Sequence, residues 1–399
     1  MNILFLSLSR FDDINARGIY PDLMRELIRR GNDIYIASPT ERRLGKPTHL
    51  NTFPHCQILK VKTLNIQKTN IVEKGIGTLL LEHQFCRAIS KHWGDVKFDL
   101  VLYSTPPITF NKVIAKLKKR NGARTYLMLK DIFPQNAVDL CMFGKKSLFY
   151  KLFRAKERKL YQLSDTIGCM SPANCQYVID HNPEVDPAKV ELCPNAIEVK
   201  QFVAPTEEEK ASLRTKLNIQ ADKVLSVYGG NLGKPQDIDF LIETLKSNEK
   251  RDNSFMLIVG SGTEFSKLQR WFDEVRPKNA ALYSALPKEE YDKLIRCADI
   301  GLIFLDHRFT IPNFPSRLLS YLEADIPVMI ASDPNTDQGR MAESNAFGLW
   351  AESNDIQSFN AKFDKLLADA DRRRIMGTNG RQFLEENYQA KYVAETILK

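Results

Sequence analysis

The chain predicts an α/β fold of two Rossmann-like, doubly wound domains. Three features predict it. Short apolar or β-branched runs alternate with stretches of helical periodicity. The alternation halts in a polar stretch at 201–209 and then restarts. The 399 residues also exceed the roughly 250 to 300 that one hydrophobic core usually serves.

Taken in order, the expected strands of the first half are Asn2–Ser7, Asp33–Ser38, Cys56–Lys62, Asp99–Ser104, Ala123–Leu129 and Thr166–Ser171. Each is built around a short apolar or β-branched run, as parallel strands are when helices cover both faces of a sheet. Between them, Tyr20–Arg30 reads as an amphipathic helix stopped by Gly31, and Ile108–Arg120 as one stopped by Asn121 and Gly122. The second half repeats the scheme with strands at Val224–Tyr228, Phe255–Val259, Asp299–Phe304, Ile326–Ala331 and Phe347–Ala351. Its helices are Ile238–Ser247, Glu264–Val275, Glu289–Cys297 and Arg317–Glu323. We therefore expect domains at 1–202 and 203–384, facing each other across a cleft, with the terminal helix 385–399 crossing back to the first.

The first apolar run is only a strand long and lacks a basic leader, so no signal peptide is expected. No stretch of about 18 apolar residues runs without charge. Seven cysteines (Cys56, Cys86, Cys141, Cys169, Cys175, Cys193 and Cys297) show no metal-like spacing and read as reduced core thiols of a cytoplasmic protein. The net charge of +8 is uneven. Residues 1–200 hold 31 Lys+Arg against 19 Asp+Glu, and the remainder 26 against 30. The first half therefore faces either an anionic partner or solvent alone.

Ligands of open α/β sheets sit beyond the carboxyl ends of the strands, where helices begin. Four such loops stand out. The loop Ser7–Gly18 ends in Arg17 and Gly18, a glycine that either admits a ligand to the backbone or simply turns the chain. Gly229–Lys234 follows a strand with three glycines and a lysine; its amides and one ammonium suit a diphosphate, although it is no Walker A loop. Asn313–Arg317 leads into a helix, with Pro315 suited to the first turn and Arg317 offering a fork of donors to phosphate. Lys130 and Asp131 end a strand, where the carboxylate can take a proton or hold a sugar hydroxyl, or merely form an Asx-turn before Pro134.

The triplets Asp237–Asp239 and Asp369–Asp371 read as helix caps or helix surface, so no metal site is expected. The six histidines lack metal-ligand spacing. The segment 145–161, KKSLFYKLFRAKERKLY, interleaves Leu148, Phe149, Leu152 and Phe153 with seven cations. It reads either as a helix lying on an anionic membrane or as one packing its aromatics inward. No recognisable nucleic-acid-reading motif accompanies the positive charge.

The order of these blocks resembles glycosyltransferase family 4, the retaining enzymes of GT-B fold, over nearly the whole chain. The resemblance runs from NILFLS and the Gly18 loop through KDIFPQNA, SDTIGCMS and ELCPNAIE. It continues through YGGNLGKPQDIDFLIETL, FMLIVGSGTE, EEYDKLIRCADIGLIFL and FPSRLLSYLEADIPVMIAS. Members with similar segments are sugar transferases of bacterial capsule and O-antigen assembly. The resemblance implies a UDP- or GDP-sugar donor in the second domain, a soluble or lipid-linked sugar acceptor on the first, transfer with retention and no obligatory cofactor or metal. Carried over, Gly18 approaches the donor and Asp131 the transferring sugar, with Arg17 and Lys130 on the acceptor side. Lys234 and Arg317 offset the diphosphate charge. Gly230, Asn231, Pro315 and Ser316 line the donor site, Gly260 and Gly262 shape the nucleotide pocket, and Leu286 meets the base.

The chain departs from the family pattern at several positions. The paired glutamates of the family fall at Pro312 and Ser320, leaving Glu323, one turn on, as a substitute for the ribose ligand. The basic pair of the glycine loop falls at Asn231 and Gln236, and a usual glycine at Asp325. A sugar-nucleotide epimerase on the same scaffold, or a degenerate nucleotide-sugar-binding protein, is the alternative.

Overall fold

The computed structural model describes residues 1–66 and 71–399. It divides into two units, 1–198 with 390–399, and 199–389.

The first unit holds strands β1 (Asn2–Leu6), β2 (Asp33–Glu41), β3 (His49–Phe53), β4 (Cys56–Thr63), β5 (Leu100–Ser104), β6 (Arg124–Leu129), β7 (Thr166–Cys169) and β8 (Val190–Leu192). They form one sheet in the order β3-β4-β2-β1-β5-β6-β7-β8. All neighbours are parallel except the antiparallel pair β3 and β4. Its helices are α1 (Ile19–Arg29), α2 (Ile71–His92), α3 (Asn111–Asn121), α4 (Gln135–Asp139), α5 (Leu148–Leu163) and α6 (Pro172–His181). The six expected strands are present, within three residues at each end. Strands β3 and β8 escaped the sequence reading because they are short sheet-edge strands without the unbroken burial that gives an apolar run.

The second unit holds α7 (Glu207–Lys216), β9 (Val224–Asn231), α8 (Ile238–Asn248), β10 (Ser254–Ser261), α9 (Phe265–Val275), β11 (Ala280–Tyr283), α10 (Lys288–Arg296), β12 (Ile300–Phe304), α11 (Arg317–Glu323), β13 (Val328–Ser332), α12 (Gln338–Ser344), β14 (Gly348–Glu352), α13 (Ile356–Ala368) and α14 (Ala370–Asn387). Its sheet, β11-β10-β9-β12-β13-β14, is wholly parallel. The polar stretch opening this unit is a capping box: Thr206 accepts from the Glu209 amide, and the Glu209 carboxylate accepts from the Thr206 amide.

In both sheets the strand order reverses direction beside the first strand of the unit, between β1 and β5 and between β9 and β12. Such switch points leave a crevice at the carboxyl ends. The final helix α15 (Ala390–Leu398) lays Val393, Ala394 and Ile397 into the first unit's core with Leu23, Met24 and Leu27 of α1. Each such buried side chain stabilises the arrangement by roughly 1.5 to 3 kcal/mol. All seven cysteines are free; Cys56, Cys169, Cys193 and Cys297 are buried and Cys86 and Cys175 half-buried, but the expectation of core thiols is corrected at Cys141, which is exposed in the turn after α4. No helix of the described residues is long and apolar enough to cross a membrane.

Candidate functional site

In the first unit the loop after β1 is tied down at three places. Lys60, buried on β4, donates to the Phe11 carbonyl at 3.0 Å and pairs with Asp12 at 2.8 Å. Arg25 Nη1 donates to the carbonyls of Ile14 and Ala16, both at 2.7 Å. Asp22, fully buried, accepts from the Gly18 amide at 3.1 Å, from Arg25 at 2.7 Å and from the Glu198 amide at 2.9 Å. Gly18 caps α1 at φ 153°, a conformation side chains avoid, with nothing nearer than 3.8 Å to an added Cβ. Its need for glycine is conformational, and Arg17 beside it is partly buried.

At the ends of β5 and β6, the Thr105 hydroxyl accepts from the amides of Lys130 (3.0 Å) and Asp131 (3.1 Å) and donates to the Asp131 carbonyl (3.0 Å). This fixes the Asp131 backbone. Its carboxylate accepts from Asn136 at 2.8 Å and from the Ile132 amide. Burial outweighs both bonds and pushes Asp131 up to about 6. Lys130 donates to the Cys193 carbonyl at 3.2 Å, and burial lowers its pKa.

In the second unit β9 pairs with β12 only through Ser226 and Val227, opposite Ile300 and Gly301. A tyrosine separates the strands beyond that point. Tyr321, fully buried on α11, accepts from the Gly229 amide at 3.2 Å, and its hydroxyl proton faces the carbonyls of Val227 (3.1 Å) and Leu302 (3.2 Å). A Cβ on Gly301 would lie 2.4 Å from the Tyr321 ring, and one on Gly229 would lie 1.8 Å from the Tyr291 hydroxyl. The two glycines make room for the tyrosines. We expect Tyr321→Phe to leave the Gly229 amide and one of the two carbonyls short of a partner and to lower stability by about 1 to 3 kcal/mol in urea unfolding; a change near zero would mean that water replaces the hydroxyl.

The remaining glycines of the region are spent on backbone packing. A Cβ on Gly260 would stand 2.0 Å from the Gly230 carbonyl oxygen, and one on Gly262 2.1 Å from that of Leu232. Their absent side chains let the β9 loop lie on the turn after β10, where the Glu264 amide donates to the Leu232 carbonyl at 2.9 Å. Leu286 sits partly buried in the loop between β11 and α10.

Arg317 opens α11. Its guanidinium lies 4.2 Å from the Tyr228 ring centre, and its Nη2 would be 3.1 Å from a Cβ on Gly230, whose φ is 134°. Nη1 is buried with no hydrogen-bond partner, and the guanidinium faces tyrosines and no carboxylate among the described residues. A permanently charged group so placed is incomplete. Helix α11 has seven residues, and the Leu318 and Leu319 amides already donate to Pro315 and Ser316. The arginine, more than the helix end, therefore supplies the positive potential. Tyr228, Tyr291 and Tyr321 surround it. These three were missed by the sequence reading because isolated tyrosines in apolar runs look like ordinary core.

The departures from the family pattern acquire structural sense. Asn231 and Gln236, at the positions of the basic pair, bond to each other at 2.7 Å, and Gln236 also accepts from the Gly233 amide at 3.1 Å. Lys234 lies exposed between them. Asp325, in place of glycine, keeps the left-handed backbone at φ 59°, which aspartate tolerates better than most residues. Ser320 is partly buried with no side-chain bond among the described residues. Glu323, in contrast, accepts from the Lys200 amide at 3.1 Å, while Arg381 donates to the carbonyls of Lys200 and Glu323. Its carboxylate thus holds the opening segment of the unit.

Asp237 caps α8, accepting from the Phe240 amide at 3.1 Å, and Asp369 caps α14. Ligand atoms of Asp237, Asp306 and His307 lie within 4.8 Å of one another. Arg308 pairs with Asp306, and its guanidinium and amide together outweigh burial and hold the Asp306 carboxyl below its ordinary value.

Two α/β units of this topology, taken with the sequence profiles they match, place the chain among the glycosyltransferases of the GT-B class. The first half matches the sequence profile described as Glycosyltransferase Family 4 over residues 21–201, and the second that described as Glycosyl transferases group 1 over residues 209–383. The chain belongs to glycosyltransferase family 4. It is 23% identical over 275 residues to a protein of Escherichia coli K12 provisionally named as the colanic acid biosynthesis glycosyl transferase WcaI, an alignment spanning 67% of this chain and 65% of the relative. Among solved structures it is similar to sucrose-phosphate synthase from Thermosynechococcus elongatus, with a TM-score of 0.79 at 16% identity over 100% of this chain and 97% of the other. It is also similar to Anabaena Alr3699/HepE, solved in complex with UDP, with a TM-score of 0.69 at 12% identity over 100% and 98%.

Proposed function

We propose that this glycosyltransferase moves a sugar from a nucleotide-diphosphate donor to a sugar or lipid-linked sugar acceptor, with retention at the anomeric carbon, in bacterial surface polysaccharide biosynthesis. The donor is a UDP- or GDP-sugar, and no metal or further cofactor is required. Residues 203–384 bind the donor and residues 1–202 the acceptor. In the reaction the bond from the anomeric carbon to the diphosphate oxygen breaks, a bond to the acceptor oxygen forms on the same face, and the acceptor's proton leaves with the diphosphate.

The observation that carries this reading is Arg317, a partly buried guanidinium beside a glycine-rich turn, with one orphaned donor and no acidic partner among the described residues. A diphosphate is the ligand whose charge and geometry complete it. In this scheme Lys234 joins Arg317 on the leaving diphosphate. Gly230, Asn231, Gly260, Gly262, Pro315 and Ser316 line the donor site, Leu286 meets the base and Ser320 the ribose. Gly18 and Asp131 face the sugar being transferred, and Arg17 and Lys130 serve the acceptor side. Glu323 is the less suitable ribose ligand, since its carboxylate is engaged at Lys200. The work is done in the cytoplasm at the inner face of the plasma membrane.

A thermal-shift screen of UDP, GDP and their sugars, run with a chelator present, tests this. One nucleotide diphosphate at about 100 times its Kd should stabilise the protein by about 2.7 kcal/mol. Unchanged melting with every one of them would refute the donor site. Product analysis with and without acceptor separates transfer from epimerisation, which needs none.

A further inference from the structure

Helix α5 belongs to the first unit by one face only. Glu157, Leu160 and Tyr161 are buried, with Tyr161 donating to Glu157 at 2.8 Å and Phe153 edge-on to Phe133 at 5.0 Å. The opposite face is uncovered among the described residues. Leu148 is 81% exposed, Phe149 65%, Leu152 47% and Met142, in the preceding turn, 63%. These are four of the twelve large hydrophobic residues exposed among the described residues, gathered within eleven positions. Of the four apolar side chains expected either on a membrane or in the core, only Phe153 turned inward.

Beside this apolar tip runs a basic hollow of about 430 Å³ lined by Lys145, Tyr150, Lys151, Arg154, Arg158 and Lys159. Arg154 and Arg158 are neutralised by Glu157 at 2.7 Å and Glu184 at 3.1 Å. Lys145, Lys146, Lys151 and Lys159 have no acidic partner among the described residues, and the tip and hollow occupy adjoining sectors of the helix.

We propose that this face is a docking surface for an anionic phospholipid bilayer, with Met142, Leu148, Phe149 and Leu152 entering the acyl boundary and the lysines holding headgroup phosphates. Charge and apolarity together select this occupant. A nucleic acid rewards the lysines but not an exposed leucine and phenylalanine. A second copy of the chain would set lysine against lysine. An interfacial helix with an apolar face and a cationic flank matches both halves of the pattern. The proposal deepens the reading of a lipid-linked acceptor, but its test is binding alone and is independent of the donor site.

The full chain is sedimented with phosphatidylcholine vesicles, with and without phosphatidylglycerol, at low and physiological salt. Binding is expected only with phosphatidylglycerol and should weaken with salt. The double variant Leu148→Asp, Phe149→Asp should lose about tenfold or more of this binding and keep the wild-type melting temperature. Phe149→Trp provides a second readout that leaves the fold intact, and its emission should shift to the blue on phosphatidylglycerol vesicles. Equal binding to neutral vesicles, undiminished binding of the double variant, or an unshifted tryptophan would overturn the proposal. The last result would reduce the contact to charge adsorption without insertion.

Discussion

Replacing Arg317 with methionine should abolish the thermal stabilisation by nucleotide diphosphate and lower kcat by about 100- to 1000-fold, the usual cost of deleting one preorganised donor facing developing negative charge. The reasoning begins with the free protein. Arg317 lies over Tyr228 with Nη1 buried and unpaired, so its desolvation is only partly offset by the ring. Methionine fills similar volume without charge, and the melting temperature of the free variant should hold or rise. Loss of ligand response without loss of fold separates a binding group from a structural one. Arg317→Lys should recover only a part, because a single ammonium cannot contact Tyr228 and two phosphate oxygens at once. A methionine variant with undiminished nucleotide response and turnover would show that the guanidinium faces no phosphate.

Asp131→Asn should remove both an activity and a pH dependence. Burial raises the Asp131 carboxyl from its ordinary 3.8 to about 6, so the folded state holds this proton more tightly than the unfolded chain. Its contribution to stability is therefore complete below about 3.8 and is lost as pH rises through about 6. A shift of two units corresponds to roughly 3 kcal/mol. Asp333, also raised to about 6 by burial, titrates in the same window, so the difference between wild type and variant isolates Asp131. Above pH 6 the variant should be the more stable by chemical denaturation. It should also be slower by about 100-fold or more if the ionised carboxylate holds or deprotonates a sugar hydroxyl. The wild-type kcat/KM should climb as Asp131 ionises through about 6, and that limb should vanish in the variant. A variant that keeps both rate and limb would leave Asp131 a structural residue fixed by Thr105 and Asn136.

Legibility differed between strands and side chains. The apolar runs at Asn2, Asp33, Leu100, Val224 and Ile300 marked the two sheets because a parallel strand covered on both faces must be apolar along its length. Strands β3 and β8 carried no such mark, being short edges. Among the loops, Gly18 and Arg317 could be singled out from where they fall after strands. Gly260 and Gly262 were read as pocket glycines, and the structure adds the carbonyls of Gly230 and Leu232 against them. Glu323 looked like a stand-in ligand by helical spacing, and the Lys200 amide it accepts from is 123 residues away in sequence.

The sequence by itself determined the fold class, the family and the positions where loops leave the strands, since periodicity and motif order are local properties of the chain. Only the tertiary structure decided which side chains are left incomplete. Tyr228, Tyr291 and Tyr321 gather around Arg317 from three separate elements, and α5 turns Leu148, Phe149 and Leu152 outward despite an apolar pattern that also suited a core. Both outcomes depend on what lies opposite each residue in space, and burial and hydrogen-bond completion are set by those distant neighbours.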